Sequence, residues 1–268
     1  MSRRLSPVIP GFGLTLGFSL SYLALIVLIP LAGMFIYSFR LSWADWWQLL
    51  TSKELLYALR LSLTTALMAA LINALLGFIL AWVLVRYEFW GRRLIDTMID
   101  LPFALPTAVA GIALTSLYAK NGLLGGLVPF PIAYQPLGIA LALVFVTLPF
   151  VVRTLQPVFE DIPPEVEEAA ASLGARPWQV VRHVIIPALL PAWLTGFALS
   201  FARGLGEYGS VVFIAGNIPF KTEILPLLIV SKLDQYNYPA ATGIAVIMLV
   251  ISFFLLLLIN LLQRRIQS

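Results

Sequence analysis

The chain has 268 residues, of which 60% are hydrophobic and only 11% are charged. A soluble domain carries about 25% charged residues, so a chain this poor in charge and with a mean hydropathy of +0.95 needs lipid around it. The net charge is +4, and the arginine clusters flank apolar runs, which fits membrane orientation and not nucleic-acid binding. With no cysteine and one histidine, disulfides and thiolate or multi-histidine metal sites are excluded.

Six apolar stretches have the length needed to cross the hydrocarbon layer, which takes about 20 residues. They do not alternate as barrel strands do, and lipid offers no partner to an unpaired backbone group, so each is predicted to be a helix. The predicted spans are 12–37, 58–85, 97–118, 137–155, 193–215 and 239–262. The first is interpreted as a retained span, because the apolar core of a signal peptide is only about 7–15 residues long.

The sequence therefore predicts an all-α membrane protein with a six-helix domain over 12–262, flanked by terminal segments 1–11 and 263–268. Basic residues set its orientation. One side carries Arg3, Arg4, Arg86, Arg92, Arg93, Arg153, Arg176, Arg182, Arg264 and Arg265, and the other carries Arg40, Lys53, Arg60, Lys120, Lys221 and Lys232. The positive-inside rule then predicts that both termini and the loop 156–191 are cytoplasmic.

Helix breakers interrupt three of the predicted spans. They are Pro102 and Pro106 in the third, Pro149 in the fourth, and Gly204, Gly206 and Gly209 in the fifth. Two interpretations stay open. The breakers give ordinary kinks, or they break helices that line a pathway, where loosened backbone is tolerated beside water or protein.

The loop 156–191 is the longest polar segment. A short helix is predicted to begin at Pro163-Pro164, with glutamates in its first turn, where they favour the helix dipole. Gly174 is predicted to end it in a left-handed conformation. A second helix is predicted to begin at Pro177 and to end at Pro187. A helix of about nine residues is marginal alone in water, so it must dock on a partner or on lipid, and its glutamates disfavour anionic lipid.

The residues Glu168-Ala169-Ala170, Gly174 and Val184-Ile185-Ile186-Pro187 resemble the EAA loop of binding-protein-dependent ABC permeases. That pattern reads E-A-A, three residues, G, nine residues, I-x-L-P. Val184 and Ile186 depart from it conservatively. Other stretches resemble the sulfate/molybdate branch, at 100–111, 149–157 and 200–209, and its sulfate/thiosulfate T-type subunit in particular, at 213–223 and 233–241.

The resemblance implies one half of a type I ABC importer permease in the bacterial inner membrane, passing sulfate and also thiosulfate. It implies a paralogous permease subunit, two ATP-binding subunits that hold ATP and Mg, and a periplasmic sulfate/thiosulfate-binding protein. The implied coupling residues are Glu165, Glu168, Ala169, Ala170, Gly174 and Pro187. The alternative is a homodimeric permease of the molybdate/tungstate type, which the stretch 213–241 argues against.

Arg203 and Glu207 are spaced i,i+4 inside the fifth predicted span, near mid-membrane, with Gly206 between them. Ionisable residues are costly there and face a bundle interior or a water-filled cavity. Two interpretations stay open, a structural ion pair and a pathway or gate. The spans contain no pairing of a nucleophile with a base and the chain has no P-loop, so neither a catalytic site nor ATP binding is predicted in this chain.

Overall fold

The computed structural model describes residues 12–267, except for the side chains of Asn260 and of residues 262–267. The predicted terminal segment 1–11 and Ser268 lie outside the described residues, as do the side chains of Arg264 and Arg265. The helices within 12–267 are α1 (Phe12–Ser38), α2 (Trp43–Thr51), α3 (Lys53–Arg86), α4 (Arg92–Ile99), α5 (Leu101–Ala104), α6 (Thr107–Tyr118), α7 (Pro136–Glu160), α8 (Pro164–Ser172), α9 (Pro177–Leu205), α10 (Gly209–Ala215), α11 (Leu225–Asp234) and α12 (Tyr238–Gln267).

Within the described range, five helices are long and apolar enough to cross a membrane, namely α1, α3, α7, α9 and α12. They account for the first, second, fourth and sixth predicted spans and for most of the fifth. The all-α prediction is confirmed. The count of six continuous spans is not, because two of the predicted spans are divided.

The prediction of one helix over 97–118 is wrong. The chain forms α4, α5 and α6 there instead. Leu105 is extended, as the residue before a proline tends to be, and Pro106 caps α6. At about 1.5 Å per residue, the 12 residues of α6 span roughly 18 Å, short of the 30 Å hydrocarbon layer. The prolines break the helix, but the stretch 97–118 stays apolar on average, so its hydropathy alone does not reveal the break.

The fifth predicted span differs at both ends. It stops at Leu205 and resumes as α10, so a continuous helix to 215 is wrong. It begins at Pro177, so the prediction that Pro187 ends a helix is also wrong. A π-helical turn over Val181–Ile185 comes two residues before Pro187, and α1 has the same arrangement, with a π turn over Ala24–Leu28 before Pro30. The wider turn accommodates a proline that an α-helix interior would not.

The core is formed by α3, α7 and α9, which pack through small residues. Val151 of α7 lies against Gly77 of α3 and Gly196 of α9, where added Cβ atoms would come within 2.7 and 3.1 Å of it. Close packing of this kind holds membrane helices together. The same helices share a buried polar cluster, in which the Asn73 amide donates to Thr147 Oγ1 at 2.8 Å and Thr147 is hydrogen-bonded to Ser200 at 2.8 Å. The Asn73 side chain thus bonds a neighbouring helix within the bundle.

At the other side of the bundle, α1 packs along α12 and is exposed over nearly its whole length. The short helix α2 follows, and Ser42 and Asp45 form a capping box at its start. The hydrogen bonds from the Ser42 side chain and backbone lower the pKa of Asp45. One face of α2 is fixed on α12, where Gly243 leaves room for Leu49 and Leu41. The helix is therefore a docked element of the fold.

Candidate functional site

The short helix α8 ends as the sequence predicts. Gly174 has φ +87°, in the left-handed region. Its N–H donates to the Ala171 carbonyl at 2.9 Å, and the next N–H, of Ala175, donates to the Ala170 carbonyl at 3.1 Å. These two bonds form a Schellman motif, which satisfies the last carbonyls of the helix. Gly174 is required for its backbone conformation, because a Cβ there would meet nothing within 4 Å.

Most of the side chains that the family resemblance assigns to coupling are exposed in this loop. Glu165, Glu168, Ala169 and Pro187 are exposed and Ala170 is half-buried. Two large apolar side chains beside them are also exposed, Leu173 at 89% and Trp178 at 66%. A polar loop that presents Leu and Trp next to small residues has the composition of a protein-binding surface.

Sequence reasoning missed the residue that holds α8 in place. Arg86, at the end of α3, pairs with Glu167 of α8 at 2.6 Å and donates to the Ile162 carbonyl at 3.0 Å. Glu167 is one of the first-turn glutamates, for which the sequence predicts only a favourable interaction with the helix dipole. Because Arg86 and Glu167 are 81 positions apart in the chain, no local sequence pattern indicates their contact.

A second ion-pair cluster lies at the same end of the bundle. Arg153 of α7 binds Asp100 through two hydrogen bonds of 2.8 and 2.6 Å, and it binds the Asp96 carboxylate at 2.6 Å and the Asp96 carbonyl at 2.8 Å. Gln156 bridges Arg153 and Asp96. The sequence had counted Arg153 only as an orienting charge. It ties α4 and the start of α5, the broken part of the third predicted span, to α7.

The electrostatics of this cluster favour the ionised form of Asp96. Partial burial raises the pKa of Asp96, but the hydrogen bonds from Gln156 and Arg153 outweigh it, and the pKa lies below its ordinary value. A carboxylate with a lowered pKa stabilises the fold above the pKa of the unfolded chain. That contribution is lost as the pH falls through the folded pKa. The cluster is therefore fully formed at neutral pH.

Arg203 and Glu207 lie at the break between α9 and α10. The predicted contact is present, with Arg203 Nη2 and Glu207 Oε2 3.2 Å apart. The two side chains differ in environment, since that of Glu207 is 2% exposed and that of Arg203 is 44% exposed. Glu207 Oε1 also accepts from the backbone N–H and the hydroxyl of Ser210, both at 3.1 Å. The carboxylate thus caps α10, while the arginine side chain stays partly exposed.

Gly206, the third residue predicted here, ends α9 with φ −89° and is exposed. An added Cβ would meet only the Arg203 carbonyl, at 4.0 Å. Two other glycines of this region are much tighter. A Cβ on Gly111 of α6 would lie 2.4 Å from the Ser210 carbonyl oxygen, and one on Gly209 would lie 2.1 Å from Thr107 Oγ1. The short helices α6 and α10 therefore touch backbone to backbone.

At the opposite end of the bundle, the segment between α10 and α11 has its own polar packing. Ser231 donates to the buried carboxylate of Glu223 at 2.9 Å, and the Asn217 amide donates to Ser231 at 3.1 Å. Nearby, an open cleft of about 670 Å³ contains a Lys232–Glu54 ion pair of 2.8 Å. Over residues 12–267, no group of three or more His, Asp or Glu side chains is placed to hold a metal ion.

Comparison with known proteins identifies the class of this fold. Residues 73–268 match the family described as binding-protein-dependent transport system inner membrane component. The sulfate transport system permease protein CysT of Escherichia coli strain K12 is 49% identical over 267 residues, which covers 98% of this chain and 95% of that protein.

Solved structures agree on the fold. A bacterial ABC transporter that imports the acidic polysaccharide alginate contains a chain that superposes with a TM-score of 0.81 at 17% identity, over 95% of both chains. A bacterial alginate ABC transporter in complex with an alginate pentasaccharide-bound periplasmic protein gives a TM-score of 0.78 at 18% identity, over 95% of this chain and 94% of that one. At these identities the likeness concerns the fold alone.

Proposed function

This chain belongs to the family of binding-protein-dependent transport system inner membrane components, and on that premise we propose that it forms half of the transmembrane pathway of an ATP-driven sulfate importer. It is a multi-pass protein of the bacterial inner membrane. The observation that carries the substrate is the 49% identity with a sulfate permease over nearly the whole length of both chains. Thiosulfate, an oxyanion of the same charge and shape, belongs to the same proposal.

The proposed assembly pairs this chain with a paralogous permease subunit, two ATP-binding subunits and a periplasmic sulfate/thiosulfate-binding protein. A periplasmic protein in the complex of a transporter with the same fold supports the last of these. ATP and Mg bind to the partner ATPase subunits, because this chain lacks a P-loop and breaks no covalent bond. Both termini and the α8 end of the bundle are cytoplasmic in this proposal, and the α11 end is periplasmic.

The coupling loop in this proposal is α8 with the start of α9. Its exposed small residues, together with Leu173 and Trp178, dock on an ATPase subunit. The structure supports a direct route from this surface into the membrane, because α9 runs without interruption from Pro177 to Leu205. These 29 residues extend about 43 Å at 1.5 Å per residue. A displacement of the loop would therefore be transmitted along a single helix, α9, to the break beside Arg203.

The proposed pathway residues are Arg203, Gly206 and Glu207. The exposed guanidinium of Arg203 is the only part of the pair that can meet an anion, because Glu207 is buried and already bonded to Ser210. An exposed cation beside the pathway would lower the barrier for an oxyanion. Glu207 then acts as a positioning residue, which holds Arg203 and the start of α10.

One experiment tests the assembly and the substrate together. The intact transporter is purified through a tag on this chain, its subunits are identified, and it is reconstituted for uptake of labelled sulfate against labelled molybdate. Copurification of a second, paralogous permease with sulfate uptake is the expected result. A homodimer that prefers molybdate would support the alternative and overturn the proposal.

The topology is tested separately with reporter fusions. Fusions after Arg93 and within the loop 160–182 should report the cytoplasm, and fusions near Lys53, Lys120 and Lys232 should report the periplasm. A periplasmic C-terminus would contradict the six-crossing arrangement.

A further inference from the structure

The coupling helix α8 touches the rest of the chain over a narrow area. Of its nine residues, seven are exposed, and the two that are not are Glu167 and Ala170. These two are three positions apart, so they lie on one face of the helix. Ala170 offers only a methyl group to the apolar cluster beside it. The ion pair between Glu167 and Arg86 is therefore the main side-chain attachment of α8 to the bundle.

Arg86 holds the loop at two points. Its Nη2 atom lies 2.6 Å from Glu167 Oε1 and donates to the Ile162 carbonyl at 3.0 Å, and Ile162 is buried just before α8 begins. Arg86 is the last residue of α3, and Glu167 is in the first turn of α8. Each charge thus lies at the helix end whose dipole favours it. The contact joins the end of one helix to the start of the other.

The helix α3 continues this contact to the opposite end of the bundle. Its 34 residues extend about 51 Å at 1.5 Å per residue. Near its start, Glu54 accepts a hydrogen bond from Lys232 of α11 at 2.8 Å, and Ser62 accepts one from the backbone N–H of Leu225, also of α11, at 2.8 Å. A displacement of α8 that Arg86 passes to α3 would therefore reach α11 without going through α9.

The Arg86–Glu167 pair also has unused hydrogen-bonding capacity. Arg86 Nε and Glu167 Oε1 are both buried, and neither has a hydrogen-bond partner among the residues that the structure describes. A guanidinium and a carboxylate can form two parallel hydrogen bonds, so a shift of α8 can add a bond instead of breaking the contact. In the Arg153 cluster, by contrast, Nε and both Nη atoms are already bonded. The Arg86 contact is thus suited to survive a movement of α8.

We propose that Arg86 is a positioning residue for energy coupling. Through Glu167 it makes α3 follow the coupling loop, so the loop acts on two helices, on α9 through chain continuity and on α3 through this ion pair. The inference rests on the proposed function, because it takes α8 to dock on an ATPase subunit. Without the contact, α9 would move while α3 lagged behind, and ATP would be hydrolysed with less transport.

The test measures uptake of labelled sulfate per ATP hydrolysed, in proteoliposomes that contain the intact transporter and its binding protein. Arg86→Glu and Glu167→Arg each bring like charges together, and the double variant restores an opposite pair in reverse order. Each single reversal should lower uptake per ATP by about threefold or more. The double variant should recover about half of the unmodified value or more, since the reversed charges oppose the helix dipoles.

The matched controls reverse the same charges at exposed positions of the same end of the bundle. Arg93 and Glu160 are exposed there, and neither has an ion-pair partner among the described residues. Arg93→Glu and Glu160→Arg should leave uptake per ATP near the unmodified value. A loss in these controls equal to that at Arg86 and Glu167 would show that net charge, and not the contact, matters, and it would overturn the proposal.

A contact that only stabilises the fold would give a different pattern. The single reversals would then lower the yield or the unfolding midpoint and leave uptake per ATP unchanged in the complexes that assemble, which overturns the proposal. A double variant no better than the single ones also overturns it. If the reversals assemble poorly, Arg86→Gln and Glu167→Gln are compared by the same ratio.

The unmodified transporter is measured first, which separates this inference from the proposed function. An unmodified transporter that takes up no sulfate overturns the proposed function, and the variants are then compared with the labelled oxyanion that it does take up. Normal sulfate uptake with the same uptake per ATP in every variant overturns only the role of Arg86.

Discussion

The α8 end of the bundle and the middle of the bundle each contain an arginine paired with carboxylate, but the two pairings are built differently. Arg153 makes hydrogen bonds to two aspartates and a glutamine, and it ties three helices together. Arg203 makes one contact of 3.2 Å with Glu207, and nearly half of its side chain is exposed. A fully bonded arginine fixes its neighbours, whereas a singly bonded, exposed one is available to a ligand. The difference separates a structural cluster from a candidate pathway group.

The largest effect is expected at the structural cluster. Arg153→Met leaves Asp96 and Asp100 without their partner. Hydrogen bonds to charged groups contribute about 1.5–3 kcal/mol each, and the partial exposure of both aspartates reduces this, so we expect a loss of about 2–3 kcal/mol in the stability of the assembled transporter. The measurement is the unfolding midpoint of the purified complex in detergent.

The matched control for this change is Arg153→Lys, which keeps the charge and loses the paired bonds to Asp100. The stability of the Arg153→Lys transporter should fall between those of the unmodified and the Arg153→Met transporters. An Arg153→Met transporter with unchanged stability would remove the distinction between the two arginines.

The mid-membrane pair should respond asymmetrically. Arg203→Met leaves a buried carboxylate unpaired, at a cost of about 2 kcal/mol, and should reduce the yield of the complex. Glu207→Gln leaves an exposed cation and keeps an acceptor for Ser210, so its yield should stay near normal. Equal loss from both single variants would show that the exposure difference between the two side chains has no consequence.

The double variant Arg203→Met, Glu207→Gln sharpens the functional side of the comparison. The complex should assemble, because buried pairs can often be replaced by neutral residues. Sulfate uptake per assembled complex should fall if Arg203 helps the anion pass. Normal uptake by a well-assembled double variant would end the pathway hypothesis and leave the pair structural.

A smaller effect is expected at the coupling loop. Gly174→Val forces a branched side chain into the left-handed region, which costs about 1–2 kcal/mol, and the open space around the site excludes a steric contribution. We expect a complex that assembles but has weakened substrate-stimulated ATPase activity. Gly174→Asn is the control, because asparagine tolerates this conformation and should keep most of the activity. Equal activities of the two variants would show that the loop does not depend on its left-handed turn.

The smallest effect is expected at the Arg86–Glu167 contact. A double-mutant cycle with Arg86→Gln and Glu167→Gln should give a coupling energy of about 0.5–1 kcal/mol, since an ion pair that still reaches the surface is worth little more. Unfolding midpoints of the four complexes provide it. A coupling of zero would mean that α8 is held by its apolar contacts alone.

The sequence predicts best what depends on neighbouring residues. The left-handed turn at Gly174, the contact of Arg203 with Glu207 and the long helices α3 and α7 all follow from local spacing or composition. A hydropathy window does not detect the divided spans, because the chain is apolar both before and after each break. Pro106 and Gly206 were visible as breakers, but a single sequence does not show whether a breaker bends a helix or ends it.

Other features depend on residues far apart in the chain. Arg153 meets Asp96 and Asp100 only because α7 returns beside α4, and Arg86 meets Glu167 only because α8 lies under α3. The positive-inside rule uses both arginines only as charges that orient the chain in the membrane, and that role requires no ion-pair partner. The site on α9 could be predicted because its two members are one helical turn apart.

The close approach of α6 and α10 restricts how any passage beside Glu207 can widen. Because Gly111 and Gly209 leave no space between the two backbones, neither helix can slide or tilt without taking the other, so the pair moves as a single block. Two of the four links that connect the block to the rest of the chain are short. One is the extended Leu105–Pro106 link to α5, whose base Arg153 anchors, and the other is the short Gly206–Tyr208 link to α9. A displacement of α9 would therefore act on the block through the Gly206–Tyr208 link, while the Leu105–Pro106 link leads back to the part of the chain that Arg153 anchors.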